Sequence, residues 1–507
     1  MLLSETLENA ADRHPSKEAV IFQDEVLTYQ KLDEKVTRLA NGLIGLGAGP
    51  GKRVALFLPN SADFLVCYFA VMKTGGTMVP MNPLFKGPEI QYILNDCQAI
   101  LLITNAHFLK TVLEVQKEIP ALQKIIVIGE ADGTGLVNYH ELIQSSSPNR
   151  RKLEITEESV ASCLYTSGTT GFPKGAMLTH HNLTFDAAAT AKALRVGDGE
   201  RYMCVLPMFH SFAEIVCMVM PILTAATIVI VERFMPDTVL KVIQDWKVSV
   251  FSGVPSMYTA LLNHTKDPGA FDLSSLRLCL SGGAAMPVEI MKRFEEFFKV
   301  VILEGYGPTE ASPVTSVNPI DGPRKAGSVG LPLPGVEVKI FDDQDREVPT
   351  GELGEVVIRG ENVMKGYLNK PEASVETLRH GWLHTGDLGK VDQDGYIYLV
   401  DRIKDMIIVG GLNVYPREVE EVIYQHPKVA EAAVVGVPDE LRGEMVKAFV
   451  ASKPGQTIEP KEIIHLCKER LANYKCPREV EIMESLPKNA AGKILKRVLK
   501  EREQKRH

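Results

Sequence analysis

The feature that most constrains this chain is a repeated switch of hydrophobic period. Through the first two thirds, amphipathic helical stretches alternate with short apolar runs at 53–58, 100–104, 124–128, 227–231 and 248–252. A short run that is apolar on both faces suits a strand covered by helices on both sides, and helical crossovers make such strands parallel. An α/β fold of doubly wound sheets follows. Around Gly327 the texture changes to closely spaced strand patterns, 336–341 and 354–359, separated by Pro and Gly turns. That spacing predicts a small antiparallel barrel or meander. After the charged segment 401–404, a strand at 406–409 and a helix at 416–425 begin afresh. The expected organisation is a body over 1–400, β-rich over about 327–400, a hinge over 401–404 and a C-terminal domain over 405–507, within the usual domain range.

Composition narrows the function classes. The 507 residues are 45% hydrophobic and 24% charged, which excludes disordered and small disulfide-stapled chains. With 56 Lys plus Arg against 64 Asp plus Glu, the formal charge is -8, so no chain-wide basic field exists to hold a nucleic acid. Eight scattered cysteines, none in a C-x-x-C pair, sit mostly in apolar runs, as buried thiols of a reducing compartment do. Glu5 and Glu8 stand where a signal peptide carries basic and then apolar residues, so a cytoplasmic location is expected. The longest uncharged stretch, 215–231, falls short of the about 20 residues that span a bilayer and is broken by Pro221, Thr224 and Thr227. It reads as a helix followed by a strand at 227–231, so no integral membrane segment is expected. A closing basic run, Lys496, Arg497, Lys500, Arg502, Lys505 and Arg506, reads as a solvated helix end.

The most informative stretch is Tyr165-Thr-Ser-Gly-Thr-Thr-Gly-Phe-Pro-Lys-Gly175. Gly168, Gly171 and Gly175 let the backbone approach an anion closely, the hydroxyls of Thr166, Ser167, Thr169 and Thr170 add donors, and Lys174 supplies a mobile cation. A Walker A loop would place Gly before the lysine and Ser or Thr after it, whereas Pro173 and Gly175 stand there. A triphosphate site outside the ordinary P-loop class is expected; a plain hairpin turn would need only one or two of these glycines.

Together with Leu27–Leu32, Met72–Pro80, Ser281–Ala285, Tyr306–Glu310, Thr385–Asp387, Arg402–Glu420 and Pro487–Lys496, in that order, the loop resembles the AMP-forming adenylating enzymes: acyl-CoA synthetases, peptide-synthetase adenylation domains and beetle luciferases. The resemblance implies ATP, Mg2+ and CoA. It implies that Gly282, Gly283 and Ala284 lie along the adenine, that Tyr306, followed by Gly307, stacks on it, and that Thr309 bonds the α-phosphate. Glu310 would hold Mg2+, which favours hard carboxylate oxygens. Asp387 and Arg402 would grip the ribose, a carboxylate offering two acceptors to a diol. Lys404 takes the hinge position, where an exposed charged residue tolerates a large backbone change. Gly410 and Gly411 would lie beside the pantetheine arm of CoA, and Lys493 would bridge the attacking carboxylate and the α-phosphate. Asp401 stands where many relatives carry Gly.

Met208-Phe-His-Ser211 corresponds to the motif beside the acyl pocket, formed here with Phe209 and His210. Amino-acid-activating relatives carry Asp after that Phe to pair with the substrate ammonium, since a buried cation needs a counter-charge. His210 in that place points to an unsubstituted carboxylic acid; the plainer reading is a core histidine. The matches look most similar to bacterial fatty-acid CoA ligases. A ligase joining a medium- or long-chain fatty acid to CoA, as a monomer or homodimer, is expected. An aryl- or dicarboxylate-CoA ligase, a luciferase-like oxygenase and a non-catalytic nucleotide sensor are the alternatives.

Overall fold

The apolar runs become the inner strands of two large sheets. The structure is a computed structural model and describes residues 1–130, 133–166, 173–439, 441–490 and 492–504. Among the described residues, one sheet of eight strands runs 366–367, 174–179, 160–166, 77–80, 53–57, 101–105, 124–128, 136–138. A second, of nine, runs 331–332, 316–317, 302–306, 278–281, 250–253, 201–204, 227–230, 18–22, 25–28. Most pairs are parallel; antiparallel pairs lie toward the 366–367 end of the first sheet and toward both ends of the second, while the edge strand 136–138 pairs parallel. The helix Ala62–Lys73 is buried on every side, as its almost uniformly apolar sequence requires. Its buried Lys73 is neutralised by Glu8 at 2.7 Å and Asp33 at 2.8 Å, and Asp63 at its start pairs with Lys35 at 2.9 Å.

The β-rich part is a four-stranded antiparallel meander, Val336–Phe341, Gly354–Gly360, Leu383–Val391 and Ile397–Arg402. Beyond it, the strands Ile407–Val409, Leu412–Val414, Val429–Asp439, Gly443–Ser452 and Glu479–Met483 form a separate sheet. One of its faces is packed by Val419, Ile423 and Ile463, the other by Phe449, Leu486 and Leu499.

One sequence expectation, that for the basic tail, is corrected, and two stretches are described more finely. The run beginning at Val160 is one arm of an antiparallel hairpin, Thr166 facing Lys174. The phosphate loop therefore joins two paired strands; apolar runs encode burial, not strand direction. The stretch from Ser211 is helical to Leu223, but its centre, Glu214–Val219, is a π-turn. Pro221 has no N–H to give the preceding turn, and the turns ahead of it widen. The basic tail is no solvated end: the helix Lys496–Gln504 buries Leu499 and Glu503. Burying Leu499 alone is worth about 1.5–3 kcal/mol. Lys496 pairs with Glu420 at 2.7 Å, Lys500 lies 3.7 Å from Asp405, and Arg502 bonds Glu481. Of the named cations Arg497 stays largely exposed at 77%, and Lys505 and Arg506 lie outside the described residues.

Candidate functional site

Ligands of open α/β sheets bind beyond the carboxyl ends of the strands, and the named residues converge there from several elements. The strand Ile302–Tyr306 delivers Tyr306, whose hydroxyl donates to Asp387 Oδ2 at 2.6 Å. Asp387 comes from the meander and also takes Arg402 Nε at 2.9 Å through Oδ1. Each Asp387 oxygen thus has one protein donor, leaving further lone pairs for a ligand. Burial, with the neighbouring Asp387 charge, raises the Tyr306 hydroxyl well above its usual range, so it stays a donor. Asp387 in turn holds the Arg402 guanidinium charged.

After Gly307, the chain turns through Thr309–Ala311. Thr309 Oγ1 lies 3.0 Å from Ser211 Oγ, which joins this turn to the segment after His210. Glu310 Oε1 accepts from Tyr367 OH at 2.9 Å and from Thr166 Oγ1 at 3.2 Å. The Lys174 ammonium sits 5.2 Å from the centre of the Tyr367 ring. Thr166 and Lys174 therefore meet Glu310 at the mouth of the hairpin, while Ser167, Gly168, Thr169, Thr170 and Gly171 lie outside the described residues. Among the described residues no group of three or more His, Cys, Asp or Glu could cage a metal. Glu310 beside a threonine hydroxyl instead fits magnesium, which takes one or two carboxylates and completes its shell with substrate phosphates and water.

On the other side of the cleft, a small cavity of about 20 Å³ is lined by Leu206, Pro207, His210, Phe212, Gly283 and Lys493, with Val254 and Asn489. Gly282, one residue before Gly283, packs so that a Cβ would meet the Phe212 ring at 3.1 Å; Ala284 continues the same loop. Phe209 packs against the main core. His210 Nδ1 accepts the Phe212 N–H at 3.2 Å, so a neutral ring keeps its proton on Nε2. Burial and the nearby Lys493 charge push its pKa down to about 4, which makes the neutral donor the working form near pH 7.

Lys493 arrives from the C-terminal sheet on a loop closed by the bridge between Lys488 and Ile494 and by its own N–H donating to Asn489 Oδ1 at 2.9 Å. Gly492 takes φ +81, its carbonyl accepts Ser256 Oγ–H at 3.1 Å, and a Cβ there would lie 2.9 Å from that same oxygen. The side chain keeps a solvent-facing side, yet protein crowds it. Desolvation first, then Arg402 and Lys496, lower its pKa, while Asp387 and Asp405 act the other way. Lys404 is exposed in the connector. Gly410 and Gly411 form the turn between Ile407–Val409 and Leu412–Val414 with φ +58 and +84. They are not among the cavity's lining residues.

Sequence reasoning gave no role to Tyr367, Ser211 or Asn489, which contact Glu310, Thr309 and the Lys493 backbone. It also passed over Glu214, which is 1% exposed, accepts from Tyr68 OH at 3.0 Å and is pushed up to about 7 by burial. A carboxylate inside an apolar run, Phe212-Ala-Glu-Ile-Val216, was the available signal. A larger cavity of about 240 Å³, lined by Arg53, Thr77, Val160 and Met177 among others, lies at the amino ends of the strands and shares no residue with the cleft.

The AMP-binding enzyme family matches residues 7–368, and the AMP-binding enzyme C-terminal domain matches 418–493. A long-chain-fatty-acid CoA ligase of Bacillus subtilis is 38% identical over 537 aligned positions, covering 100% of this chain and 95% of the relative. A feruloyl-CoA synthase of an Amycolatopsis species is 39% identical, covering 95% of each. The crystal structure of an anthranilate CoA ligase in complex with anthranoyl-AMP superposes with TM-score 0.94 at 33% identity, covering 99% of this chain and 97% of that one.

Proposed function

This chain belongs to the AMP-binding enzyme family as an AMP-forming acyl-CoA ligase, and we propose that the acid it activates is a medium- or long-chain fatty acid. The acid's carboxylate attacks the α-phosphorus of ATP, giving an acyl-adenylate and pyrophosphate. The CoA thiol then attacks the acyl carbon and expels AMP. Neither step needs a protein nucleophile; positioning, charge neutralisation and exclusion of water carry the rate.

The observation that carries this reading is the meeting of Lys493 with neutral His210 in one cavity, beside the cleft that holds Thr309, Glu310 and Asp387. Lys493 bridges carboxylate and α-phosphate, Nε2–H of His210 orients the acid, and Thr309 bonds the phosphate. Asp387 and Arg402 hold the ribose against Tyr306. Glu310, with Thr166 nearby, would hold Mg2+, which neutralises phosphate charge when bound with ATP. Lys174 and the loop before it take the outer phosphates. Because the Gly410–Gly411 turn is not part of the cavity that Lys493 enters, the second step needs the 405–507 domain to turn about Lys404 and bring that hairpin to CoA.

The absence of a carboxylate beside Phe209 supports an acid without an ammonium group. All eight cysteines are buried and unpaired, which fits a reducing cytoplasm. Among the described residues no helix is long and apolar enough to cross a membrane. Partners are the acid, ATP and CoA, with the chain acting as a monomer or homodimer. The test is AMP release dependent on ATP and CoA, measured across fatty acids of graded length, benzoate and ferulate. Fatty acids should give the highest kcat/KM. A preference for an aromatic acid, to which the small cavity and the ring of Phe212 are suited, would replace the substrate class and keep the chemistry.

A further inference from the structure

A second contact between the C-terminal domain and the body lies away from Lys493, where the helix Pro416–Tyr424 meets the strand Ile397–Arg402 and the helix Val288–Phe298. Arg417 is its centre. Its N–H donates to Asp401 Oδ2 at 2.9 Å, and its guanidinium reaches back to the Leu399 carbonyl at 2.8 Å. Nε stands 3.9 Å from Glu421 Oε1, and the side chain is only 13% exposed.

Facing it from the body is Glu304, 1% exposed. Glu304 Oε1 accepts the Met286 N–H at 2.8 Å, while Oε2 has no hydrogen-bond partner among the described residues. Burial pushes this carboxyl up to about 7, with Arg417 pulling it down and Glu421 adding to the rise. Glu421 Oε2 accepts the Val288 N–H at 3.4 Å, in the first turn of the body helix. The Leu399 carbonyl and the N-terminus of a helix of the body are thus both met by charged side chains of the C-terminal helix, with the buried Glu304 carboxyl under the influence of both charges. Turning the domain away would strip the Leu399 carbonyl and the Val288 N–H of these partners.

We propose that Arg417, supported by Glu421, is a positioning residue that latches the C-terminal domain in the pose admitting Lys493 to the cleft, and so sets the balance between the two half-reactions. The catalytic consequence rests on the ligase function proposed above; the latch itself does not. It also gives Asp401 a use, since its carboxylate ties the connector to Arg417.

The test compares the unaltered chain with Arg417→Ala, Arg417→Lys and Glu421→Gln. Acid-dependent pyrophosphate release should fall about tenfold in Arg417→Ala, thioester formation from supplied acyl-AMP should hold or rise, and Arg417→Lys should recover part of the loss. A merely structural role would lower both steps in the same proportion. The pose is read directly by introducing Met235→Cys and Arg497→Cys, at positions 59% and 77% exposed, and measuring the distance distribution between spin labels. The eight native cysteines are buried, so the introduced pair takes the labels. Arg417→Ala should shift population from the main distance to a second one; Glu421→Gln, which keeps volume and removes charge, should do so more weakly and serves if Arg417→Ala does not fold. Unchanged distances with proportional losses overturn the latch. If no acid releases AMP from the unaltered chain, the ligase function falls, and the distances still decide the latch.

Discussion

Asp387, Thr309 and Glu310 each enter the cleft already bonded to a protein partner, whereas the Lys493 ammonium enters with none among the described residues. The first three stand on strands and turns of a body whose sheets fix them. Lys493 rides on a loop of a smaller unit with its own core, held against the body by Ser256 and by the Arg417 contact. In the proposed function, the nucleotide side is organised before substrate arrives, and the cation that would answer the developing charge is placed by a domain pose. A partnerless, crowded ammonium has its pKa lowered, so it gains most when a new anion appears beside it.

This contrast can be broken at either end. The largest effect is expected from Lys493→Ala: pyrophosphate release in the first step should fall about 10²–10³-fold, with thioester formation from supplied acyl-AMP spared. Equal loss in both assays would put Lys493 among the fixed, shared residues instead. Because Lys493 works protonated in the proposed function and its pKa is lowered, first-step kcat/KM should decline as pH rises through a value below 10.5, and Lys493→Arg should move that alkaline limb upward. A limb unmoved by the Arg variant would assign it to another group.

On the fixed side, Asp387→Asn keeps the shape but weakens the bonds from Tyr306 and Arg402. KM for ATP should rise about 10- to 30-fold, with both half-reactions affected because AMP occupies the same place in each. The smallest effect belongs to Gly492→Ala. A Cβ at 2.9 Å from Ser256 Oγ crowds the docked loop, so the first step should slow about tenfold, while the strain at φ +81 lowers the stability of the C-terminal domain by only about 1–2 kcal/mol in thermal melts. Loss of folding there would mean that Gly492 serves its own domain rather than the docking.

Legibility in the sequence followed the same divide between local and distant contacts. Strands at 124–128 and 336–341 fall where the apolar runs put them, because a short run bounded by turns is a local signal. The hairpin 160–179 and the π-turn at 214–219 were not legible, since burial patterns carry neither strand direction nor the choice between neighbouring helical turns. The tail misled because its charges outnumber its apolar residues, although Leu499 and the buried pair of Lys447 and Glu503 at 2.6 Å decide where it goes. The named site residues came from motifs continuous in sequence. Tyr367 reaches Glu310 from 57 residues away, and Glu421 reaches Val288 from 133, so each is meaningful only after folding.

The chemistry at the centre is oxygen transfer from the acid to the α-phosphorus. It is tested most directly by turning over a fatty acid labelled with 18O in both carboxylate oxygens, together with ATP, Mg2+ and CoA, and weighing the products. An acyl-adenylate route puts one 18O into AMP and none into pyrophosphate. AMP without label, or label in inorganic phosphate with ADP as the nucleotide product, would contradict it.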